Sequence, residues 1–171
     1  SHSLGGLIAL EYALHHPEGL QGVVAIAPAL MVGQGVAMID DIPPRIPPQA
    51  SLEGEPDYEL LSRDPEMLKF YQADTLRHHL RTVGLAREMV AAMQWTMAHA
   101  GDLRVPLLML HGLADGIVPR DDGRAFFAGV TIADKKRHEY PETLHNPHDD
   151  INRKEVLADL SSWIERHINL A

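Results

Sequence analysis

Cysteine is absent from the sequence, so the chain can form neither a disulfide nor a thiolate metal site. This absence fits a reducing compartment such as the cytoplasm without requiring one. Positive charge is also scarce, because 15 Lys and Arg residues stand against 24 Asp and Glu residues, for a formal net charge of −9. The longest basic run is Lys135-Lys136-Arg137. We therefore expect no nucleic-acid partner.

Long hydrophobic runs are missing as well. The longest, residues 23–32, is interrupted by Pro28 and falls well short of the roughly 20 residues that a membrane span needs. We expect a protein of the cytoplasm or of a membrane surface, and peripheral contact with a membrane stays open. Hydrophobic residues still make up 45% of the 171 residues and charged residues 23%, which is typical of a folded domain with a packed core.

The first residues of the chain carry the most informative motif, Ser1-His2-Ser3-Leu4-Gly5-Gly6. An apolar helical run, residues 4–14, follows without a linker, so Ser3 is predicted to lie at a helix N-terminus. A serine flanked by small residues at the turn from a strand to a helix is typical of a nucleophile elbow. The small neighbours here are Gly5, Gly6 and, in place of the usual glycine, Ser1. In such an elbow the N–H of Leu4 would be an oxyanion donor.

Two other interpretations of this motif stay open. Ser3 could be only an N-cap, since serine is a preferred capping residue and the glycines would then merely loosen the turn. Ser1 could instead be an N-terminal nucleophile that uses its own α-amine as the base.

Strands and helices alternate along the rest of the chain, which predicts an α/β fold with a parallel sheet buried on both faces. The apolar runs predict strands at residues 20–28, 105–112 and 137–140. The apolar periodicity predicts helices at residues 121–130 and 152–168. Between the first two strands, residues 29–103 are rich in proline and include two helical segments, 65–72 and 84–99. These residues are predicted to form an insertion.

Asp115 and His145 each follow a predicted strand, and Ser3 follows the position where a strand should be. In an open parallel sheet, functional groups gather at the carboxyl ends of the strands. The chain order Ser, Asp, His is the order expected for a triad on such a sheet, with the histidine as base and the aspartate fixing its tautomer. Alternatives are Asp149 or Asp150 as the acid and His148 as the base.

Two further histidine interpretations concern structure and metal binding. His145, His148 and Asp149 could also be metal ligands, but their short run lies in a loop without further ligands, so we expect no metal. His111, at the end of a predicted strand, is interpreted as a packed and hydrogen-bonded histidine.

These motifs resemble the α/β-hydrolase superfamily, and in particular its monoacylglycerol lipase and lysophospholipase branch. The resemblance is carried by the first six residues, by the run His111-Gly112-Leu113-Ala114-Asp115-Gly116-Ile117-Val118-Pro119, by Ser62-Arg63-Asp64-Pro65, and by Tyr140-Pro141 ahead of His145. It implies that Ser3 is the nucleophile, Asp115 the acid and His145 the base. It also implies a small acyl ester as substrate, a monoacylglycerol or a lysophospholipid, and no cofactor.

The resemblance also implies a domain organisation. Residues 1–28 and 104–171 would form part of an α/β-hydrolase core, and residues 29–103 would form a cap over the acyl chain. Within this cap, Met89 and Met93 share one face of a helix and could line an acyl pocket. The alternative is that they pack the insertion onto the core.

The sequence has no initiator methionine, and its first residue already lies within the elbow motif. The strands before the elbow and the loop of the second oxyanion donor have no counterpart in it. We therefore expect the C-terminal portion of a longer protein, with little or no activity by itself. A peptidase or another small-ester hydrolase on the same triad stays open, as does a non-catalytic α/β binding module. The oligomeric state is not predicted.

Overall fold

The structure, a computed structural model, describes residues 1–31, 42–54, 57–77 and 80–168. Three parallel strands form the main sheet, in the order β1 (Val23–Ile26), β4 (Leu107–Gly112) and β5 (Lys135–Tyr140), and two further strands pair in a separate antiparallel sheet. The elements in chain order are α1 (Leu4–His15), β1 (Val23–Ile26), β2 (Ser51–Glu53), α2 (Pro65–Ala73), β3 (Leu80–Thr82), α3 (Val83–Ala98), β4 (Leu107–Gly112), α4 (Arg120–Gly129), β5 (Lys135–Tyr140) and α5 (Arg153–Ile168). Short 3₁₀ helices lie at Tyr58–Leu60, Ala100–Asp102 and Pro147–Asp149.

The central strand β4 shows why the sheet is parallel and covered on both sides. All six of its residues are buried. Because side chains alternate along a strand, Leu107 and Met109 belong to one hydrophobic cluster and Leu108 and Leu110 to the other. A continuous apolar run is typical of a strand with helices on both faces.

Helices cover the two faces of this sheet. Leu10 of α1, Met93 of α3 and Phe126 of α4 pack in the cluster on one face. Val156 and Trp163 of α5 pack in the cluster on the other. This arrangement confirms the α/β class predicted from the sequence. In the described part of the chain, no helix is both long and apolar enough to cross a membrane.

The predicted strands and helices all occur, with boundaries shifted by a few residues. β1 is shorter than predicted, and β1 and β4 are neighbours in the sheet although the whole insertion separates them along the chain. The antiparallel pair of β2 and β3 was missed, because all three residues of β3 are exposed and show no apolar alternation. Residues 32–41, 55–56 and 78–79 of the predicted insertion lie outside the described residues. The division into core and cap stays a prediction.

Candidate active site

Ser3 lies in a sharp turn between an extended segment and α1. His2 pairs in parallel with Ile26 of β1, and the N–H of Ser3 donates to the Ile26 carbonyl at 3.0 Å. α1 begins at the next residue, Leu4. Ser3 has φ 52° and ψ −122°, a conformation that costs a residue with a Cβ about 1–3 kcal/mol. The backbone therefore has the strand-turn-helix form and the strain of a nucleophile elbow.

This strain predicts a gain in stability when the Cβ is removed. Glycine adopts a positive φ without the steric penalty, so we expect Ser3→Gly to have a free energy of unfolding about 1–3 kcal/mol above that of Ser3→Ala. The alanine variant is the matched control, since it also lacks the hydroxyl but keeps the Cβ. Urea unfolding of the two variants measures the difference. Equal free energies would show that the turn stores no strain.

The glycine that this turn requires is Gly6. A Cβ on Gly6 would lie 2.9 Å from the Cα of Pro28, which is closer than a Cβ comes to an atom that is not bonded to it. At Gly5, which is exposed, a Cβ would meet nothing within 4 Å in the described part of the chain. The sequence analysis named both glycines as small neighbours of Ser3. Among the described residues, backbone approaches Gly6 closely but not Gly5, because only Gly6 faces the chain after β1.

Ser3, His145 and Asp115 form a continuous hydrogen-bonded relay, although they come from three distant parts of the chain. The hydroxyl of Ser3 lies 3.0 Å from Nε2 of His145. Nδ1 of His145 lies 2.9 Å from Oδ2 of Asp115. Because a carboxylate only accepts, Nδ1 carries the proton and donates it, which leaves Nε2 free to accept from the Ser3 hydroxyl. Both the imidazole and the carboxylate are buried.

The carboxylate of Asp115 is held by four donors. Oδ1 accepts the N–H groups of Ile117 at 2.8 Å and Val118 at 2.9 Å, and Oδ2 accepts from His111 as well as from His145. Burial by itself would raise the pKa of Asp115, but the hydrogen bonds from His111 and His145 and the backbone donor of Val118 outweigh it. The pKa of this carboxyl is therefore lowered, and the group is ionised at neutral pH.

The loop that carries His145 is bound to the insertion by backbone hydrogen bonds. The N–H of His145 donates to the carbonyl of Leu60 at 3.3 Å, and the N–H of Asn146 donates to the carbonyl of Leu61 at 2.8 Å. Both acceptors lie at or beside the 3₁₀ helix that precedes α2. The position of His145 therefore depends on residues of the predicted cap as well as on the sheet.

A buried ion pair reinforces this connection. Nε of Arg63 lies 3.1 Å from both carboxylate oxygens of Asp150, whose side chain is completely buried. Asp150 also accepts the N–H of Leu144 at 3.0 Å, and Arg63 donates to the side-chain oxygen of Asn152 at 3.1 Å. The pair thereby fixes the residue directly before His145. The sequence analysis noted Arg63 only as part of a family-like motif, because its partner lies 87 positions away.

The alternative triad members have other partners in the structure. Asp149 accepts a hydrogen bond from the hydroxyl of Tyr71 at 2.6 Å, and Asp150 is paired with Arg63. His148 has its Nε2 3.8 Å from Asp149, and burial lowers the pKa of its imidazole. Within the described ranges, no group of three or more His, Asp or Glu side chains is arranged to hold a metal ion.

His2 is a neighbour of the relay that the sequence analysis did not consider. Its Nε2 lies 3.0 Å from the carbonyl oxygen of His145 and donates to it, and its ring centroid lies 4.7 Å from that of His145. Burial, followed by repulsion from His145, lowers the pKa of His2 to about 4. His2 is therefore neutral at pH 7 and packs against the ring of His145 without adding charge. Its place between the two serines of the elbow motif was the available signal.

A groove of about 480 Å³ lies between α1 and α3, and Leu4, the residue that follows Ser3, is one of its lining residues. Met89 contacts this groove, whereas Met93 is 2% exposed and packs in the core. The substrate-binding role of both methionines stays a prediction, and of the two it is Met89 that has access to a ligand. The groove is lined by Leu4, Leu7, Ile8, Glu11, Leu85, Glu88, Met89, Ala91, Ala92 and Trp95.

Comparisons with known proteins identify the family and the fold of the chain. A sequence profile of the family described as "Serine aminopeptidase, S33" matches residues 1–152. A monoacylglycerol lipase of Mycolicibacterium smegmatis is 30% identical over 172 residues, which cover 98% of this chain and 61% of that protein. The crystal structure of Paleococcus ferrophilus monoacylglycerol lipase has a TM-score of 0.83 at 30% identity, over 96% of this chain and 66% of that chain.

A more distant structure shows the same fold. A soluble variant of monoglyceride lipase from Saccharomyces cerevisiae has a TM-score of 0.86 at 18% identity, over 97% of this chain and 60% of that chain. The present chain thus spans 61% of the length of the Mycolicibacterium relative and 66% of the Paleococcus chain. The fold and the family that the motifs resemble are both confirmed: the chain belongs to the serine aminopeptidase S33 family of the α/β-hydrolases.

Proposed function

We propose that this chain carries the catalytic triad of a serine esterase. Ser3 attacks the carbonyl carbon of a carboxylic ester while His145 takes the hydroxyl proton, and Asp115 stabilises the imidazolium that forms. His145 then gives the proton to the leaving alcohol. Water activated by His145 hydrolyses the acyl-enzyme and restores Ser3. The single observation that carries this proposal is the relay from Ser3 to His145 at 3.0 Å and from His145 to Asp115 at 2.9 Å.

Leu4 supplies an oxyanion donor in this proposal. It is the first residue of α1, and the first N–H groups of a helix have no acceptor within the helix. Such groups, together with the helix dipole, favour the negative charge that develops on the substrate oxygen next to Ser3.

The proposed substrate is a small acyl ester, a monoacylglycerol or a lysophospholipid. Similarity to monoacylglycerol lipases at 30% identity supports this class. The groove between α1 and α3 supports it too, because eight of its ten lining residues are apolar or aromatic and its volume suits an acyl chain. The exceptions are Glu11 and Glu88. No cofactor takes part in this chemistry.

A peptidase is the second candidate, and the family description favours it. Serine aminopeptidases and esterases share one acyl-transfer mechanism, so the triad by itself does not separate them. Activity against a panel of glycerol esters and of aminoacyl anilides separates the two candidates.

The test of the proposed function is labelling with a fluorophosphonate probe followed by peptide mapping. We expect the probe to modify Ser3 in the full-length protein and to leave its Ser3→Ala variant unlabelled. Hydrolysis of monoacylglycerols should be lost in the same variant. A folded full-length protein that is not labelled, or is labelled at another serine, would exclude this triad and would favour the non-catalytic binding module.

The groove gives a prediction about chain length. Replacing Met89 with aspartate places a charge among apolar lining residues, so kcat/KM for long-chain esters should fall roughly tenfold or more, while short-chain esters are little affected. The matched control is Met93→Ala, since Met93 packs in the core and should cost about 2–5 kcal/mol of stability without discriminating between chain lengths. Equal loss on long and short esters in Met89→Asp would show that the groove does not bind the acyl chain.

A further inference from the structure

His111 lies one residue before the end of β4 and contacts the carboxylate of Asp115. Its side chain is 1% exposed. Nε2 of His111 is 3.1 Å from Oδ2 of Asp115 and 3.2 Å from the carbonyl oxygen of Val118. Because a carboxylate and a carbonyl both only accept, Nε2 must carry the proton and donate to both. His111 and His145 therefore donate to the same oxygen of Asp115.

The other ring nitrogen of His111 has a different environment. Nδ1 is buried and has no hydrogen-bond partner in the described part of the chain. It faces Gly123 of α4, where a Cβ would lie 3.4 Å away. A proton on Nδ1 would have no acceptor there, which favours the neutral tautomer with the proton on Nε2.

We propose that His111 is a positioning residue that sets the orientation and the accepting strength of the Asp115 carboxylate, and through it the basicity of His145. The proposal rests on the proposed function, in which Asp115 and His145 belong to a triad. An oxygen that accepts two hydrogen bonds offers less negative charge to each donor than an oxygen that accepts one. His111 thus limits how strongly Asp115 stabilises the protonated form of His145.

Loss of this donor has a predictable sign. Without His111, Oδ2 of Asp115 serves His145 alone and stabilises the imidazolium more strongly. His145 then takes up a proton at a higher pH, and the acid limb of the kcat/KM profile moves upward. The donor that is lost is one of two that share Oδ2, and we expect its loss to displace the acid limb by about half to one pH unit. A less firmly held carboxylate should also lower kcat about tenfold, with KM unchanged.

The other groups that face His145 stay constant in this comparison. They are the uncharged hydroxyl of Ser3, the neutral His2, and His148, whose pKa is lowered by burial. The α-amine of Ser1, whose pKa is also lowered by burial, lies near His148. None of these groups contacts His111 in the described part of the chain, so a displacement of the acid limb reports on Asp115.

The experiment compares His111→Leu, which removes the donor, with His111→Gln, whose amide nitrogen reaches about as far as Nε2. We measure the pH dependence of kcat/KM on a short-chain ester and the position of the low-field proton between His145 and Asp115 by NMR. The leucine variant should shift the acid limb upward by about half to one pH unit, and the glutamine variant should restore the native profile. The matched control is His138→Gln, since His138 also pairs with a carboxylate, Asp159 at 3.2 Å, but lies outside the relay.

Several outcomes would overturn the inference. A purely structural role predicts a lower melting temperature in His111→Leu with an unshifted acid limb, as in the control. If the leucine variant does not fold, ¹⁵N NMR of the native protein decides, because a proton on Nδ1 of His111 at neutral pH is incompatible with the proposal. A full-length protein that neither hydrolyses esters nor reacts with the fluorophosphonate contradicts the proposed function, whereas an active full-length protein with an unshifted variant contradicts only the role of His111.

Discussion

Replacing Asp115 with asparagine should lower kcat/KM by about 10⁴ while leaving the fold intact. The environment of Asp115 dictates how the new amide must lie. Oδ1 accepts two backbone N–H groups, from Ile117 and Val118, so the carbonyl oxygen of the amide has to take that position. Its NH₂ group then points to where His145 and His111 now donate. Both imidazoles would have to become acceptors.

The consequence for the base follows from its tautomer. If Nδ1 of His145 accepts a hydrogen bond from the amide, the imidazole proton moves to Nε2, which faces the Ser3 hydroxyl at 3.0 Å. A protonated Nε2 cannot accept the hydroxyl proton, so Ser3 is no longer activated. The N–H donors that stabilise the oxyanion would remain, so the variant should still catalyse the reaction faster than it proceeds in water without enzyme.

The measurement is kcat/KM on a short-chain ester, together with thermal unfolding to confirm that the variant folds. Asp149→Asn is the matched control, because Asp149 is the rival acid but accepts from Tyr71 instead of His145. We expect the control to keep activity within a few-fold of the native protein. Near-native activity of Asp115→Asn together with strong loss in the control would move the acid to Asp149.

Replacing Gly112 with alanine should have the second large effect, on both stability and activity. Gly112 ends β4 where the chain after β5 crosses it, and a Cβ there would overlap the carbonyl oxygens of Thr143 and Leu144. Both contacts are with backbone atoms, which cannot move aside as a flexible side chain can. The loop that carries His145 would have to shift.

The size of the effect follows from these contacts. Overpacking of a well-packed site costs about 1–3 kcal/mol, and a displacement of the base by about 1 Å would lower kcat by roughly 10². Urea unfolding and ester hydrolysis measure the two effects. Gly116→Ala is the matched control in the same segment, because among the described residues its Cβ would meet only the side chain of Leu60, at an ordinary 3.5 Å. Similar behaviour of the two alanine variants would show that the crossing is looser than the structure has it.

The link between the predicted cap and His145 bears on how such an enzyme could work. Leu60 and Leu61 bind the backbone on either side of the peptide that joins His145 to Asn146, and Arg63 holds the buried Asp150. Removing Arg63 would leave the buried carboxylate of Asp150 without its charged partner, which is destabilising. The insertion therefore contributes to the placement of His145, in addition to any role in covering the substrate.

The sequence by itself determined the class of fold and the order of the three site residues. Apolar runs such as residues 105–112 are buried on both faces of a sheet, so they identify parallel strands without knowledge of any partner. Carboxyl ends of parallel strands meet at one edge, Asp115 and His145 each follow a predicted strand, and Ser3 follows the position where a strand should be. The fold class needs only local patterns and one topological rule, whereas the choice of His145 over His148 rested on the resemblance to the α/β-hydrolases.

Tertiary structure alone decided which side chains support these three. Met89 and Met93 are four residues apart on one helix, yet the packing of α1 against α3 exposes the first to a groove and buries the second in the core. Arg63 pairs with Asp150, and His111 donates to Asp115. Both contacts depend on the conformation of loops, which the apolar periodicity of the sequence does not predict. A side chain's partner across the sheet depends on how the helices and loops pack, and packing is a property of the whole domain, not of any local stretch of sequence.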